Sequence, residues 1–408
     1  MISLLQAGHQ VTVFIISNES PERYEEIATT GVVVKTVPYG NRRPYWTYDV
    51  LGTPREIFKP DLETYYGWVS LAPAMKKVLE EVRPDAILAF TLHALAATHL
   101  VNTCPRMAVF VDLEHLVAHY RWLATPPVPV RSFIKASLRR FAYSKQPKFM
   151  RQLLSDCQSV VDFAAHHAAW LQQHGVLNCV YIPPPTRDPV GPDWRELRNS
   201  YPARPIPKIL LIGHLGGIAT ISGLKYFIEK VLPRLEKKLG PNAFEIHVVG
   251  DYSKNTELAT ELKRHSTVRL RGYVDDANPE FLSSDVLLVP TPINLGTRTR
   301  IIEGFSYGCC IVAHEANALG IPQMVDGKNA LLAANGPEHA DAIIRALTDS
   351  TLRARLQSTA RRTFEEHFSI ESAGSLLTAE LERIAQNRQT DRHRAGNAAQ
   401  ILSRHKVC

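Results

Sequence analysis

Apolar residues in this chain fall into two kinds of run, which alternate along the sequence. Short continuous apolar runs, such as 208–212 and 244–249, are typical of strands buried in a parallel sheet. Longer segments, such as 222–239 and 351–367, repeat apolar residues at intervals of three and four, which predicts amphipathic helices. Because strands and helices alternate, the pattern predicts an α/β fold built on parallel sheets.

Proline density divides this pattern into two halves. Eight of the 25 residues from Pro183 to Pro207 are proline, the highest density in the chain, and such a stretch forms a stiff linker. The predicted organisation is an N-terminal domain (1–185), a linker (186–207), a C-terminal domain (208–368), a helix (369–386) and a basic tail (387–408). The tail has no apolar period and is predicted to be disordered.

The most informative stretch is 284–313, SDVLLVPTPINLGTRTRIIEGFSYGCCIVA. A buried strand is followed by a polar loop, the start of a helix and a second buried strand. In such a βαβ unit, ligands bind beyond the carboxyl ends of the strands. A helix N-terminus at that place attracts an anion, and Arg298 and Arg300 add positive charge. The stretch predicts a phosphate-ester site with Glu303 one helical turn deeper; arginines that face outward are the alternative.

The run GTRTRIIEG, residues 296–304, resembles the donor-sugar segment of the group 1 (family 4) glycosyltransferases with the GT-B fold. The runs LLIGHLGG, FEIHVVGD and VRLRGYV agree with that family in order. The resemblance implies two Rossmann-like doubly wound domains that face a cleft, and a last helix that crosses back to the first domain. It also implies that Glu303 binds the ribose of a nucleotide-sugar. The family usually has a second Glu that contacts the donor sugar; Leu295 stands there, so the donor is left open.

Further donor-site residues come from the loops of the second domain. Gly216 and Gly217 follow its first strand, where glycine lets the backbone approach a phosphate. The family's loop carries an Arg and a Lys that this loop lacks, so we infer that Arg298 and Arg300 supply the charge. The predicted donor site comprises Gly216, Gly217, Gly250, Tyr273, Val274, Gly296, Thr297, Arg298, Arg300 and Glu303, with the nucleobase placed at Tyr273 and Val274 by the resemblance.

Polar residues also follow the strands of the first domain. His93 comes after one strand, and Asp112, Glu114 and His115 come after the next. An acceptor hydroxyl must lose its proton during glycosyl transfer, and a carboxylate or imidazole at this rim could assist. The alternatives are helix capping for the residues after the second strand and a structural role for His93. His166 and His167 are adjacent, which does not suit a metal pair, and we predict no metal site.

The beginning of the sequence departs from the family. The chain starts inside the first helix, so the opening strand and its Gly-rich loop are missing. Strands beside that gap would have unpaired backbone groups. We expect a start codon that was placed too late; a fragment or a degraded gene is the alternative.

Charge and cysteine content limit the possible binding partners of the protein and its cellular location. A net charge of +7 suits nucleoside diphosphates, anionic lipids or nucleic acid, but no nucleic-acid motif occurs and no nucleic-acid partner is predicted. The six cysteines include no C-x-x-C pair, which indicates reduced thiols and the cytoplasm. The segment 130–151 is basic and amphipathic. It predicts either contact with the inner face of a membrane or a core-packed helix with a solvated basic face.

The sequence therefore predicts a glycosyltransferase that moves a sugar from a nucleoside-diphosphate-sugar to a hydroxyl of a saccharide or lipid-linked acceptor. The resemblance implies retention of anomeric configuration without a metal or other cofactor, in the synthesis of cell-surface polysaccharide or glycolipid. An inactive nucleotide-sugar-binding or scaffolding protein is the alternative, because the first strand, the second Glu and the charged glycine loop are all missing.

Overall fold

The structure is a computed structural model that describes residues 1–19, 21–38, 57–202, 204–240, 242–253 and 255–387. It is an α/β protein with two Rossmann-like domains, each built on parallel strands, as the sequence pattern predicted. Residues 39–66 are rich in Tyr, Pro and Arg and have no clear period, which predicts a loop or lid-like excursion. Most of that segment and the predicted disordered tail lie outside the described residues.

The first domain contains two parallel sheets. Its strands are β1 (Thr12–Ile16), β2 (Val33–Val37), β3 (Ile87–Phe90), β4 (Arg106–Phe110), β5 (Ser159–Asp162) and β6 (Cys179–Tyr181). Strands β1 and β2 pair with each other, and β3 to β6 form a four-stranded sheet in chain order. Among the described residues, no strand pairing joins the two sheets. Instead, Phe14, Ile16 and Val37 pack against an apolar cluster that includes Trp68 and Ile87.

Helices surround these sheets. They are α1 (Ile2–Gln6), α2 (Glu25–Ala28), α3 (Leu62–Tyr66), α4 (Ala72–Val82), α5 (Leu92–Ala97), α6 (Glu114–Ala124), α7 (Val130–Tyr143), α8 (Gln146–Leu154) and α9 (Ala165–Gln173). Helix α3 corrects the prediction of a loop over 39–66. The Asp61 side chain caps it by accepting a hydrogen bond from the Thr64 N–H at 2.8 Å, a local signal that the search for a longer apolar period missed.

The second domain is one six-stranded parallel sheet in the order β12-β11-β10-β7-β8-β9. Its strands are β7 (Lys208–Ile212), β8 (Glu245–Val249), β9 (Val268–Gly272), β10 (Val286–Val289), β11 (Ile311–His314) and β12 (Leu331–Ala333). Its helices are α11 (Ile218–Tyr226), α12 (Leu232–Leu239), α13 (Thr256–Leu262), α14 (Asn278–Leu282), α15 (Thr299–Ser306), α16 (Gly336–Thr348) and α17 (Ser350–His367); a π-helical turn, Phe227–Val231, links α11 to α12. The order reverses between β7 and β10, where ligands bind in such sheets.

Two elements connect the domains. The proline-rich stretch contains a short helix, α10 (Trp194–Ser200), whose Trp194 is buried. A last helix, 373–387, follows Ser369, whose Oγ accepts a hydrogen bond from the Ser372 N–H at 3.1 Å. Its Leu377, Leu381 and Ile384 pack on the first-domain sheet. Within the described ranges, no helix is both long and apolar enough to cross a membrane.

Candidate functional site

The carboxyl ends of both sheets meet at one contact. The loop before α15 reaches the start of α9 in the first domain, where the Gly296 N–H donates to His167 Nε2 at 3.2 Å. Next to it, the Thr297 hydroxyl donates to the Phe163 carbonyl. The Ala165 N–H donates to the Gly320 carbonyl at 3.3 Å. The predicted donor loop therefore lies at the domain boundary and is held there by the first domain.

Gly296 is required by this contact. Its backbone has φ +56°, a conformation that favours glycine. A Cβ at this position would overlap Asp112 Oδ1 and lie 3.1 Å from the Val111 carbonyl oxygen. The structure thus brings Asp112, an acceptor-side candidate, against the donor loop. Asp112 has solvent access in the cleft, where desolvation by the surrounding protein raises the pKa of its carboxyl and the positive charge of Arg298 lowers it.

Arg298 is the N-cap residue of α15, and its side chain is only partly accessible. Desolvation lowers the pKa of its guanidinium, and the negative charge of Asp112 raises it. Its guanidinium has no hydrogen bond or ion pair within the described part of the chain. A cation at a helix N-terminus, without a bonded partner, is an arrangement suited to an anionic ligand.

Arg300 lies beneath the glycine loop of the second domain. Its guanidinium donates to the Ile212 carbonyl at 2.9 Å and to Thr220 Oγ1 at 2.8 Å. Burial is the main cause that lowers the pKa of Arg300 to about 10. The side chain therefore points inward, unlike the outward-facing alternative. It supports the loop and places positive charge under it.

The glycine loop itself is closely packed against a second loop. A Cβ on Gly250 would overlap the Gly213 carbonyl oxygen, and a Cβ on Gly213 would lie 2.8 Å from Arg300 Nη1. The Leu215 N–H donates to the Asp251 carbonyl at 3.2 Å, and Gly217 is the N-cap of α11. Both loops thus form a backbone surface at the carboxyl ends of β7 and β8, where Gly216 and Gly217 were predicted to meet a diphosphate.

Glu303 lies on α15 with an exposed carboxylate. Desolvation raises its pKa and the nearby Arg300 lowers it. Tyr273 follows β9 and is 74% exposed, whereas Val274 packs against the core. The predicted contacts of Glu303 and Tyr273 thus fall on accessible side chains, whereas Val274 is partly buried, and all three contacts stay predictions.

His93 and Glu114 are not at the rim, so their expected position is corrected. His93 is 7% exposed and lies edge-on to the rings of Tyr66 and Trp68. Glu114 turns inward as well, because Gln146 Nε2 donates to its Oε2 at 3.0 Å. Burial raises the pKa of Glu114 to about 8 and lowers that of His93 to about 4, so both are neutral near pH 7.

His115 also packs into the first domain, with its ring 4.9 Å from the ring of Trp170. Burial lowers the pKa of His115 to about 4. Of the four acceptor-side candidates, Asp112 contacts the donor loop at Gly296, whereas the other three have partners within the first domain. The physical reason is that a strand end fixes where the backbone goes, while the first turn of the following helix rotates each side chain to a different direction.

Residues at the start of α9 were not predicted as site residues. His167 accepts the Gly296 hydrogen bond, and its Nδ1 lies 3.7 Å from Asp162 Oδ2. Burial lowers the pKa of His167 to about 3, and neutral His167 can accept. Position was the available signal: these residues follow β5 at the same sheet edge as Asp112. The described residues hold no group of three or more His, Cys, Asp or Glu that could bind a metal ion.

Comparisons with known proteins agree with this geometry. Residues 206–349 match the family described as "Glycosyl transferases group 1". No curated protein sequence matches the chain. A glycosyltransferase from Rickettsia africae ESF-5 is similar in structure, with TM-score 0.64 and 15% identity over 95% of this chain and 93% of that one.

Two further solved structures have the same fold. Anabaena Alr3699/HepE in complex with UDP-glucose has TM-score 0.63 and 15% identity, with 94% of both chains covered. WaaG, a glycosyltransferase involved in lipopolysaccharide biosynthesis, has TM-score 0.58 and 16% identity, with 93% of both chains covered. We conclude that the chain has the GT-B fold and that its residues 206–349 match the group 1 glycosyl transferase family.

Proposed function

We propose that this protein is a glycosyltransferase that moves a sugar from a nucleoside-diphosphate-sugar to a hydroxyl of a saccharide or lipid-linked acceptor. The observation that carries the proposal is the Arg298 guanidinium at the start of α15, which has no bonded partner in the described part of the chain. The accessible Glu303 carboxylate lies on the same helix. An anion and a diol, as in a nucleotide, would satisfy both groups.

Positive charge would stabilise the leaving diphosphate. Arg298 and the amino end of α15 face the negative charge that develops as the glycosidic bond breaks, while the amide of Gly216 approaches from the other loop. The Gly217 N–H instead donates to the His214 carbonyl at 3.1 Å. Arg300 adds its charge from below. Preorganised donors of this kind are worth several kcal/mol of barrier. Because the protein supplies this charge itself, we propose a reaction that needs no metal and, by resemblance, retains the anomeric configuration.

Asp112 is the proposed acceptor-side group. Its carboxylate is the negative charge that Arg298 faces. When a diphosphate pairs with Arg298, that attraction is divided and the carboxylate becomes a stronger hydrogen-bond acceptor for a hydroxyl. Asp112 would therefore become more basic only when the donor is bound, which limits proton removal to the complete complex.

Similar structures support the choice of donor and pathway. Anabaena HepE is described in complex with UDP, with glucose and with UDP-glucose. TarM is described with UDP and α-GlcNAc-glycerol, and WaaG as involved in lipopolysaccharide biosynthesis. We propose a corresponding role in cell-surface polysaccharide or glycolipid synthesis.

A thermal-shift panel tests the donor proposal. Full-length protein is heated with UDP, GDP, ADP and their common sugar conjugates, each at a high concentration. A ligand at 100 times its Kd stabilises the folded state by about 2.7 kcal/mol, so one nucleotide should raise Tm clearly above the others. If none of the diphosphates raises Tm, the proposal fails.

The exposed apolar and basic residues of helix α7 support the proposal of contact with an anionic membrane. Its apolar stripe is exposed rather than packed in the core: Val130 is 62%, Ile134 52% and Phe141 46% exposed. The core-packed alternative therefore does not describe this face. Arg131, Lys135, Arg139 and Arg140 lie on the same helix. Each basic residue near an anionic surface contributes about 1 kcal/mol.

Sedimentation with vesicles tests this contact. Wild-type protein should pellet with vesicles that contain phosphatidylglycerol and not with pure phosphatidylcholine. Ile134→Asp should reduce the bound fraction, whereas Leu177→Asp, at a residue that is 83% exposed elsewhere, should not. Equal binding by both variants would count against α7. The buried free thiols of Cys104, Cys157, Cys179, Cys309 and Cys310 support a cytoplasmic location at the inner face of that membrane.

An inactive nucleotide-sugar-binding protein is the second candidate. One observation favours it, because Leu295 is buried at 4% exposure where the family has a sugar-binding Glu. This protein would raise its Tm with a nucleotide-sugar yet release no nucleoside diphosphate in the presence of extracts that contain acceptor.

A further inference from the structure

We propose that a groove in the first domain binds the phosphate headgroup of an anionic phospholipid, with one lipid bound per chain. The inference rests on the membrane contact proposed above and goes beyond it, because it assigns a saturable headgroup site to residues outside helix α7. The groove lies between the segment that precedes α3 and the first turns of α8, and it shares no residue with the predicted donor site.

The size of the groove suits a headgroup rather than a single small ion. Its volume is about 410 Å³, and it is lined by residues 58–60 and by residues of the α7–α8 turn and of α8. A water molecule occupies about 30 Å³ in the liquid, so the groove has room for roughly ten heavy atoms, the size of a phosphoglycerol group.

Positive charge collects in this groove and is not neutralised by the protein. Its lining includes four cations and no carboxylate, the cations being Lys59, Lys145, Lys148 and Arg151. None of the four forms an ion pair with Asp or Glu within the described part of the chain. Because like charges that lie close together repel one another, an anion bound here would be attracted to each cation and would also relieve their repulsion.

Lys145 is already held in position for an anion. Its ammonium donates to the Phe58 carbonyl at 2.9 Å and lies 4.7 Å from the centroid of the Phe141 ring. An ammonium has three N–H donors, so two of them stay available for a ligand. Since the side chain is ordered before binding, little conformational entropy is lost when a phosphate oxygen accepts these hydrogen bonds.

Exposed phenyl rings beside the groove favour a lipid over a soluble phosphate. Phe58 is 60% exposed, and its ring centroid lies 6.1 Å from that of Phe141. Phe141 ends the exposed stripe of α7 that also contains Ile134 and Leu138, at a spacing that keeps all three on one helix face. The basic groove is therefore continuous with an apolar surface. A ligand that fits both is anionic at one end and apolar at the other, which describes an anionic phospholipid.

Calorimetric titration with a soluble lipid tests the inference. Full-length protein is titrated with dihexanoylphosphatidylglycerol below its micelle concentration. Dihexanoylphosphatidylcholine, which has no net charge, and glycerol 3-phosphate, which has no acyl chains, are the comparison ligands. The phosphatidylglycerol should bind saturably at one site per chain and at least tenfold more tightly than either comparison ligand.

A double variant tests whether the groove is the site. Lys59 and Lys148 are exposed and form no hydrogen bond within the described residues, so Lys59→Gln/Lys148→Gln should fold normally. It should weaken binding of the soluble phosphatidylglycerol about 10- to 30-fold. Lys237→Gln/Lys238→Gln removes the same charge from exposed positions on α12 and should bind like wild type. Both double variants should keep the rise in Tm that the donor nucleotide causes, because neither changes the donor site.

The remaining outcomes would overturn the inference. If wild type pellets with phosphatidylglycerol vesicles but does not bind the soluble lipid, the contact through α7 stands and the headgroup site is wrong. If glycerol 3-phosphate binds as tightly as the soluble lipid, the groove takes a soluble phosphate instead. Equal losses in the two double variants would assign the effect to net charge. If wild type binds neither the soluble lipid nor vesicles, the proposed membrane contact fails as well, while the thermal-shift panel still tests the donor proposal separately.

Discussion

The two domains differ in whether their polar site candidates are accessible or paired inside the domain. In the second domain, Arg298 and Glu303 are accessible to solvent and lack bonded partners among the described residues. In the first domain, His93 and Glu114 turn inward and face each other 3.7 Å apart. The second domain thus has accessible charged groups without bonded partners, whereas these two groups of the first domain face each other inside it. The first domain contacts the donor loop at Asp112 and at the start of α9.

Removing the free cation should have the largest effect. Arg298→Ala should reduce kcat/KM by roughly 10²–10³-fold, because charge on the leaving diphosphate loses its main partner. Release of nucleoside diphosphate measures this rate. Arg362→Ala removes an exposed arginine on α17 and should leave the rate unchanged. Wild-type activity in Arg298→Ala would contradict the proposed role of the accessible charge in the second domain.

Gly296→Ala tests the contact between the domains. Ala is strained at φ +56°, and its Cβ would also overlap Asp112 Oδ1. Gly191→Ala is the matched control, since Gly191 has φ +67° with no heavy atom within 4 Å of an added Cβ. Each change should cost about 1 kcal/mol of unfolding free energy from backbone strain. Only Gly296→Ala should also lower kcat/KM, by about tenfold or more, because a misplacement of 1 Å can cost 10²-fold.

Glu303→Gln tests the ligand side of α15. Loss of the carboxylate should raise Kd for the nucleotide roughly tenfold, since hydrogen bonds to a charged group contribute about 1.5–3 kcal/mol. Titration calorimetry with the nucleotide selected by the thermal-shift panel measures it. Glu257→Gln, at an exposed residue of α13, should bind normally. An unchanged Kd in Glu303→Gln would exclude the ribose contact.

Two buried glutamates should give opposite pH dependences, the smallest of these effects. Burial raises the pKa of Glu114 to about 8 from 4.5, so the folded state binds the proton more tightly. Stability should fall as pH rises from about 4.5 to 8. Glu280 has its pKa lowered to about 2 from 4.5, first by a hydrogen bond to His247 and also by Lys208. Its contribution is present above pH 4.5 and is lost as pH falls towards 2.

Urea unfolding as a function of pH measures both contributions. Relative to wild type, Glu114→Gln should gain about 1–2 kcal/mol between pH 5 and pH 8, discounted for relaxation of the site. Glu280→Gln should lose a similar amount at pH 6 and much less at pH 2.5. Glu81→Gln, at an exposed residue of α4, should show neither trend. The same slope in both variants would contradict the contrast between the two domains.

The sequence predicted the features that hydrophobic periodicity and strand ends determine, namely the strands and the edge of the sheet at which each loop lies. Strand β7 matches its predicted bounds, and the loop with Gly296 and Arg298 does lie at the carboxyl edge of the sheet. The direction of individual side chains could not be predicted from the sequence. His93 and Asp112 both follow first-domain strands, yet only Asp112 faces the cleft, because packing of Tyr66 and Trp68 holds the His93 ring inside. Partners from the other domain, such as His167 for Gly296, leave no local pattern.

Binding of a pyrophosphate at Arg298 is the central claim, and a crystal structure with UDP or GDP tests it most directly. We predict phosphate oxygens within hydrogen-bond distance of the Arg298 guanidinium and of the first N–H groups of α15, with the ribose at Glu303. A diphosphate bound elsewhere, or an Arg298 side chain in bulk solvent with no anion beside it, would contradict it.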